Sequence, residues 1–251
     1  MIRLLQLNIL KGKYMDTILS YLSLHPFDIV TLQEVAGGSY SNNNGDNLRQ
    51  LTEALSYEAD ITYDLLEENT PNYFGSAILF SPSFSKKSRR ELRPAPRTNI
   101  AITKQDDWEK LVRSALAIRL EKEGKEFEIV TTHGAWSRLP DDTPSKHAQI
   151  TVIADYLKQL TVPFIFTGDL NVVTDTEVVR LVESTGAMNL SRIHHVSNTL
   201  NPRTHYVQSL FPPGLAVDYI FPSPAISIDS FEVISSPDLS DHFGLGLAFA
   251  L

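Results

Sequence analysis

IRLLQLNILKGKYMDTILSYLSLHPFDIVTLQEV, residues 2–35, decides the fold. IRLLQLN (2–8) and DIVTLQEV (28–35) read as buried strands, and between them Met15, Ile18, Leu19 and Leu22 fall at helical spacing. His25-Pro26 ends that helix, because the residue before a proline is pushed out of the helical region. Two buried strands joined by a helix favour parallel pairing through a crossover.

Outward from this unit the chain alternates in the same way. The polar loop SYSNNNGDN leads to a helix around 46–57, followed by strands near 73–81, 111–121 and 126–133. TPSKHAQITVIADYLKQL (143–160) is the clearest helix: Thr143 serves as N-cap, Pro144 opens the first turn, and Ile150, Ile153, Ala154 and Leu157 share one face. It runs into PFIFTGDLN, and the last third is read as mostly β: GLAVDYIF, AISIDSFEVIS and HFGLGLAFAL. Many strands with a few helices predict an α/β fold of two sheets packed face to face with helices outside. Neither a linker nor a repeat interrupts the 251 residues, so residues 1–251 are read as one domain.

With 42% hydrophobic residues the chain can bury a sizeable core. It has no Cys, which excludes a disulfide framework, a thiolate metal site and a Cys nucleophile. MIRLLQLNIL is too short for a signal-peptide core, and Lys11 and Lys13 follow the apolar stretch where a signal peptide needs its basic residues first. No run approaches the roughly 20 apolar residues of a membrane span. The expectation is a soluble, cytoplasmic monomer with no obligate protein partner.

A net charge of −8 argues against a broad non-specific grip on nucleic acid. One segment departs from it: KKSRRELRPAPR (86–97) holds six cations and a single acid. A solvated strand edge and loop is the favoured reading, and a phosphate-facing rim the sharper one.

Polar residues recur where apolar strands stop. In SDHFGL (240–245), Asp241 and His242 can face one site only from a loop-to-strand junction, because successive residues of a regular strand point to opposite faces. Asn8, Glu34, His133, Asp169, Asn171 and Asp218 stand at other strand ends. Singly, each has a bland reading: Asn8 a turn residue, Glu34 a surface acid, His133 a satisfied semi-buried ring, Asp218 the partner of an arginine. Together they form the parts list for a hard, oxygen-ligated cation with acid/base groups. Asp169 and Asn171, two residues apart, point to one side if the backbone is extended, and Gly168 permits a sharp turn or a close approach.

Taken in order, LQLN (5–8), LQEV (32–35), GSAILF (75–80), TTH (131–133), GDLN (168–171), VDYIF (217–221) and LSDH (239–242) resemble the endonuclease/exonuclease/phosphatase superfamily, the deoxyribonuclease I-like fold. The SDHFGL ending is similar to that of the tyrosyl-DNA phosphodiesterase branch. The resemblance implies a four-layered α/β sandwich, with two mainly antiparallel sheets flanked by helices. It also implies metal-dependent hydrolysis of a phosphate ester. Glu34 would hold a divalent ion with Asn8 and Asp241 close by, Mg²⁺ being expected and Mn²⁺ a substitute. Asp169 with Asn171 would orient or deprotonate the attacking water. His242, fixed by Asp218, and His133 would stabilise charge on the phosphoryl oxygens. Arg113 is expected to contact phosphate, Trp136 to stack on a base or ring, and Thr199 in NTLNPRTH to sit at the substrate.

The chain departs from the family pattern at Leu10, where many of its nucleases carry an acid, and at Gly134, Ala135 and Trp136 after the motif His. The implied partner is a phosphate ester, with DNA or RNA first. A phospholipid headgroup, an inositol phosphate or a nucleotide is the alternative, and a catalytically dead phosphate-binding scaffold a third reading.

Overall fold

The computed structural model describes residues 1–98, 100–205 and 214–251. In chain order the elements are β1 (Ile2–Asn8), α1 (Met15–Leu24), β2 (Ile29–Gly37), α2 (Asn47–Leu55), β3 (Glu58–Leu66), β4 (Tyr73–Phe80), β5 (Ser85–Leu92), β6 (Ala115–Lys122), β7 (Lys125–His133), α3 (Pro144–Lys158), β8 (Phe164–Asp169), α4 (Glu177–Glu183), α5 (Leu190–Ile193), β9 (Asp218–Pro222), β10 (Ser227–Ile234) and β11 (Gly244–Ala250). A six-stranded sheet has the order β10-β11-β1-β2-β4-β3 and a five-stranded sheet the order β5-β6-β7-β8-β9. β1 pairs with β2 in parallel, as the opening stretch predicts, and β7 pairs with β8 in parallel. The other neighbours run antiparallel.

The two-residue period of each strand sorts its side chains into layers. Leu5 and Leu7 of β1 and Val30 and Leu32 of β2 pack outward under α1 and α2. Val130, Phe164, Phe166, Tyr219 and Phe221 pack outward from the other sheet under α3 and α4. Between the sheets lie Leu4, Ile29, Ile78, Ile118, Ile129, Ile165, Ile220, Leu247 and Phe249. Helices, sheet, sheet and helices make the four layers of the expected sandwich. Among the described residues no helix is long and apolar enough to cross a membrane.

Three local readings are corrected. Strand β3 and helix α4 were not anticipated. β3 carries Asp60 and Asp64, which break its apolar pattern but find cations elsewhere: Lys86 for Asp60 and Arg113 for Asp64. The Val-rich α4 gains its N-terminal cap from a distance, since Asp142 accepts from the backbone of Glu177 and Val178. Glu34 does not end its strand. β2 continues to Gly37, and Glu34 sits in a bulge between Leu32 and Val35 with φ 56°.

The basic run is mostly strand β5, an exposed edge of the five-stranded sheet. Most of its cations have local partners. Lys86 pairs with Asp60, Lys87 with Glu121 and Arg93 with Glu91, while Arg90 lies over the Tyr156 ring. A charged, twisted edge of this kind protects against strand addition, and none of its residues lines the cleft described next.

Candidate active site

On the faces that meet between the sheets, each central strand runs from apolar to polar. β1 reads Leu4, Gln6, Asn8; β2 reads Ile29, Thr31, Gln33; β7 reads Ile129, Thr131, His133; β8 reads Ile165, Thr167, Asp169. The middle residues form a buried seam that ties the sheets together. Gln6 donates to Gln33 (2.8 Å) and to Asp218 (3.0 Å), Gln33 to Thr131 (3.0 Å), and Thr167 to Thr31 (2.9 Å). Buried polar groups of this kind are costly unless paired, so the seam fixes how the strand ends register across the gap.

Those ends converge on Asp169. Its Oδ2 accepts from Asn8 Nδ2 at 3.1 Å, and its Oδ1 from the Asn171 backbone N–H at 2.9 Å. The Nε2 atoms of His133 and His242 stand 3.6 and 3.8 Å from Oδ2, facing the carboxylate without closing on it. The other nitrogen of His242, Nδ1, is 2.9 Å from Asp218 Oδ2. Gly168 admits the close approach, since a Cβ there would meet the Thr132 carbonyl at 2.2 Å. Asp169 and Asn171 do not share a side through an extended backbone: Asn171 has φ 55°, and its amide donates to the Gly134 carbonyl at 3.0 Å. The turn, and not strand alternation, brings them together.

Charge is distributed unevenly over these groups. Burial disfavours a charged His242, but the carboxylates of Asp218 and Asp169 outweigh it and hold the ring's pKa well above the usual value. His133 goes the other way: burial, aided by Arg113, keeps it well below. One imidazole is therefore cationic and the other neutral, at two positions around one carboxylate. Asp169 itself is pushed up to about 7 by burial, against the lowering effect of His242. Environments that separate the pKa values of neighbouring groups are how acid and base roles are assigned.

The cleft over these ends holds about 210 Å³ and is lined by Asn8, Glu34, Asp169, Asn171, Asp241 and His242 together with Lys11, Trp108, Arg113, His133 and Trp136. Glu34 Oε2 is buried with no hydrogen-bond partner among the described residues. Burial raises its pKa and Asp241 adds to the rise. An orphaned carboxylate oxygen beside a second acid, with Asn8 next to them, fits a hard divalent cation. The groupings whose ligand atoms lie within 4.8 Å of one another among the described residues are Asp169, Asp218 and His242, and His205, Asp241 and His242; Glu34 belongs to neither. The hydrogen bond between His242 and Asp218 already accounts for the first grouping.

Arg113 lines the cleft, but its charge is met by Asp64 at 3.1 Å and its guanidinium lies over Phe74. Trp136 is half-buried at the cleft. Thr199 departs from expectation: it is fully buried, and its hydroxyl accepts from the backbone of Val217 and Asp218. It braces Asp218 from behind and does not line the cleft. The sequence reading missed the seam of Gln6, Thr31, Gln33, Thr131 and Thr167, whose signal is a polar residue at every second position of an apolar strand. It also missed Lys146, a buried ammonium on α3 that donates to Ser137 Oγ (2.6 Å) and to the carbonyls of Asp141 (2.8 Å) and Asn171 (2.9 Å).

A family model described as "Endonuclease/Exonuclease/phosphatase family" matches residues 5–242. No curated protein matches the sequence. Among solved structures, a mannosyl-6-phosphatase from Bacteroides thetaiotaomicron VPI-5482 is similar over 100% of both chains at 16% identity, with a TM-score of 0.76. The human Nocturnin catalytic domain with bound sulfate is similar over 99% of this chain and 94% of its own, at 21% identity and a TM-score of 0.72. A D. rerio TDP2 humanized by 14 mutations covers 100% of this chain and 99% of its own, at 18% identity and a TM-score of 0.67. These likenesses concern the fold.

Proposed function

The chain belongs to the endonuclease/exonuclease/phosphatase family, and from that premise we propose that it is a divalent-metal-dependent phosphoesterase, acting as a phosphodiesterase on nucleic acid. The observation that carries the reading is the convergence of Asn8, His133 and His242 on Asp169, beside a Glu34 oxygen that lacks a partner. Glu34, Asn8 and Asp241 would hold the ion, Mg²⁺ with Mn²⁺ in its place. When bound, the ion supplies polarisation of a phosphoryl oxygen and neutralisation of growing charge.

The rest is the work of side chains. Asp169, buried and with a pKa of about 7, is suited to take a proton from the attacking water near neutral pH. Asn171 holds that carboxylate through its backbone N–H and anchors the turn to Gly134. His242, kept cationic by Asp218, directs Nε2 toward the reacting group and offsets negative charge as it develops. Neutral His133 adds a hydrogen-bonding group without adding charge. Asn8 donates to the carboxylate that handles the proton and lines the same cleft as the acids that would hold the ion.

Trp136 at the cleft supports a substrate carrying a base or ring. A second reading, a small phosphate ester such as an inositol phosphate or a phospholipid headgroup, is favoured by the local pairing of the basic run away from the cleft. The testing experiment is a panel of plasmid, single-stranded oligonucleotide, 5′-blocked end, sphingomyelin and inositol phosphate, each assayed with Mg²⁺. Hydrolysis of a nucleic-acid member is expected. Turnover confined to the lipid or inositol members assigns the second reading, and turnover of none argues for a binding scaffold.

A further inference from the structure

The turn between β1 and α1 has a backbone that the site described so far does not require. Leu10, Lys11 and Gly12 all lie in the left-handed region, with φ of 46°, 54° and 75°. Only the glycine adopts this conformation readily, and two successive side-chain-bearing residues there are penalised. Asparagines hold the turn in place. Asn8 Oδ1 accepts from the Leu10 N–H at 3.0 Å, Asn42 Nδ2 donates to the Leu10 carbonyl at 2.7 Å, and the Asn42 N–H donates to the Lys11 carbonyl at 2.9 Å. At Gly12 a Cβ would lie 2.3 Å from Asn47 Nδ2, so the turn is closely seated as well as bonded. Strain of this kind persists where the surroundings over-determine it, and it collects at functional sites.

What the turn achieves is the placement of Lys11. The side chain lines the cleft, with Nζ 5.1 Å from the centroid of the Trp108 ring. The two arginines of the cleft already have carboxylate partners: Arg113 pairs with Asp64 at 3.1 Å and Arg138 with Asp106 at 2.8 Å. Among the described residues Lys11 has no carboxylate within the 4.0 Å of an ion pair. It is held by an aromatic face, which orders an ammonium without neutralising it. An ordered cation with no carboxylate partner, in a cleft that also carries the cationic His242 beside Glu34, Asp169 and Asp241, is matched to an anion that enters with the substrate.

We propose that Lys11 is a substrate-binding residue whose ammonium pairs with a phosphoryl oxygen of the bound ester, beside the acids that would hold the metal. This rests on the phosphoesterase reading. The competing role is internal: Lys11 acts on Glu34 through the electrostatic field and would serve as its counter-charge.

Two binding measurements on the full chain separate these roles. Inorganic phosphate is titrated at saturating Mg²⁺, and Mn²⁺ affinity is measured separately from the electron paramagnetic resonance of the free ion. Lys11→Met keeps the apolar stem and removes the charge. It is expected to weaken phosphate binding about 10- to 100-fold, the scale of one charged hydrogen bond, with Mn²⁺ binding unchanged or tighter. Lys11→Arg keeps the positive charge and should retain more of the phosphate affinity than Lys11→Met. Lys11→Gln serves the same purpose if the Met variant does not fold. Phosphate binding within about twofold of wild type in the uncharged variant, or a loss matched by an equal loss of Mn²⁺ affinity, overturns the proposal and assigns Lys11 to Glu34. If the wild-type chain binds no phosphate with Mg²⁺, the phosphoesterase reading fails and the proposal with it.

Discussion

The two ends of the space between the sheets are built from the same strands and are chemically opposite. At one end Phe84, Phe127 and Phe249 pack edge to face, with ring centroids 5.9 and 6.0 Å apart in successive pairs. At the other, along the same β7, the side chains become Thr131 and His133 and meet Asp169, Asp218 and His242. The apolar end needs only volume and shape. The polar end needs its groups held in register, and the Gln6, Gln33 and Thr167 seam between the two ends supplies that order. A layered fold can thus place stability and chemistry in one interior, a few residues apart on each strand, and substitutions at the two ends should separate them.

The largest effect is expected at the dry end. Phe249→Ala should cost about 3–5 kcal/mol of stability in a denaturant titration, with turnover per folded molecule within twofold of wild type; a large drop in turnover of the folded fraction would break the separation. Next comes His242→Ala, expected to lower kcat about 10²- to 10³-fold, the scale for loss of one charge-stabilising donor, with little change in melting temperature. Asp218→Asn should also impair kcat. Because the two residues act as one hydrogen-bonded unit, the double variant should be far less than multiplicatively worse. Losses that multiply independently would mean that the pair does not work as a unit.

Lys146 lies between the extremes, since it joins α3 to the loop that carries Asn171. Lys146→Met leaves buried acceptors without a donor and should cost about 1–3 kcal/mol. Glu34→Gln keeps the shape and removes a ligand charge, so half-maximal Mg²⁺ should rise about tenfold or more; an unchanged Mg²⁺ dependence would remove Glu34 from the ligand set. The smallest effect is expected at the basic edge. Neutralising Arg90 and Arg93 should leave the salt dependence of nucleic-acid binding unchanged, because neither residue lines the cleft. A flatter salt slope would return that edge to the substrate.

Much of the polar end was legible because its residues stand where apolar strands stop. Asn8, His133, Asp169, Asp218, Asp241 and His242 could be collected from pattern alone, and the structure brings all but Asp218 to the lining of one cleft, with Asp218 buried behind His242. What was not legible depends on partners distant in the chain. Asp64 reads as a strand breaker until Arg113, 49 residues away, is seen to satisfy it. Helix α4 was not anticipated, since the residue that caps it, Asp142, lies 35 positions upstream of Glu177. Thr199 reads as a site residue because NTLNPRTH falls between GDLN and VDYIF, where the family it resembles has a Thr-containing strand, yet its hydroxyl is spent on backbone. Glu34 was found as a polar residue closing a run, whereas its exposure to the cleft comes from a bulge that no local residue announces. Lys11 was hidden for the opposite reason, since a lysine in a turn carries no signal until the conformation of the turn is known.

The central claim, that the polar end is a metal-assisted phosphoesterase site, is tested most directly by following hydrolysis of bis(p-nitrophenyl) phosphate and of the best substrate from the panel. Each is assayed with Mg²⁺, after addition of excess chelator, and after restoring Mg²⁺. Turnover should be lost with chelator and should return with the metal in the wild-type chain, while Glu34→Gln needs more Mg²⁺ to recover. Turnover undiminished in excess chelator would contradict the account.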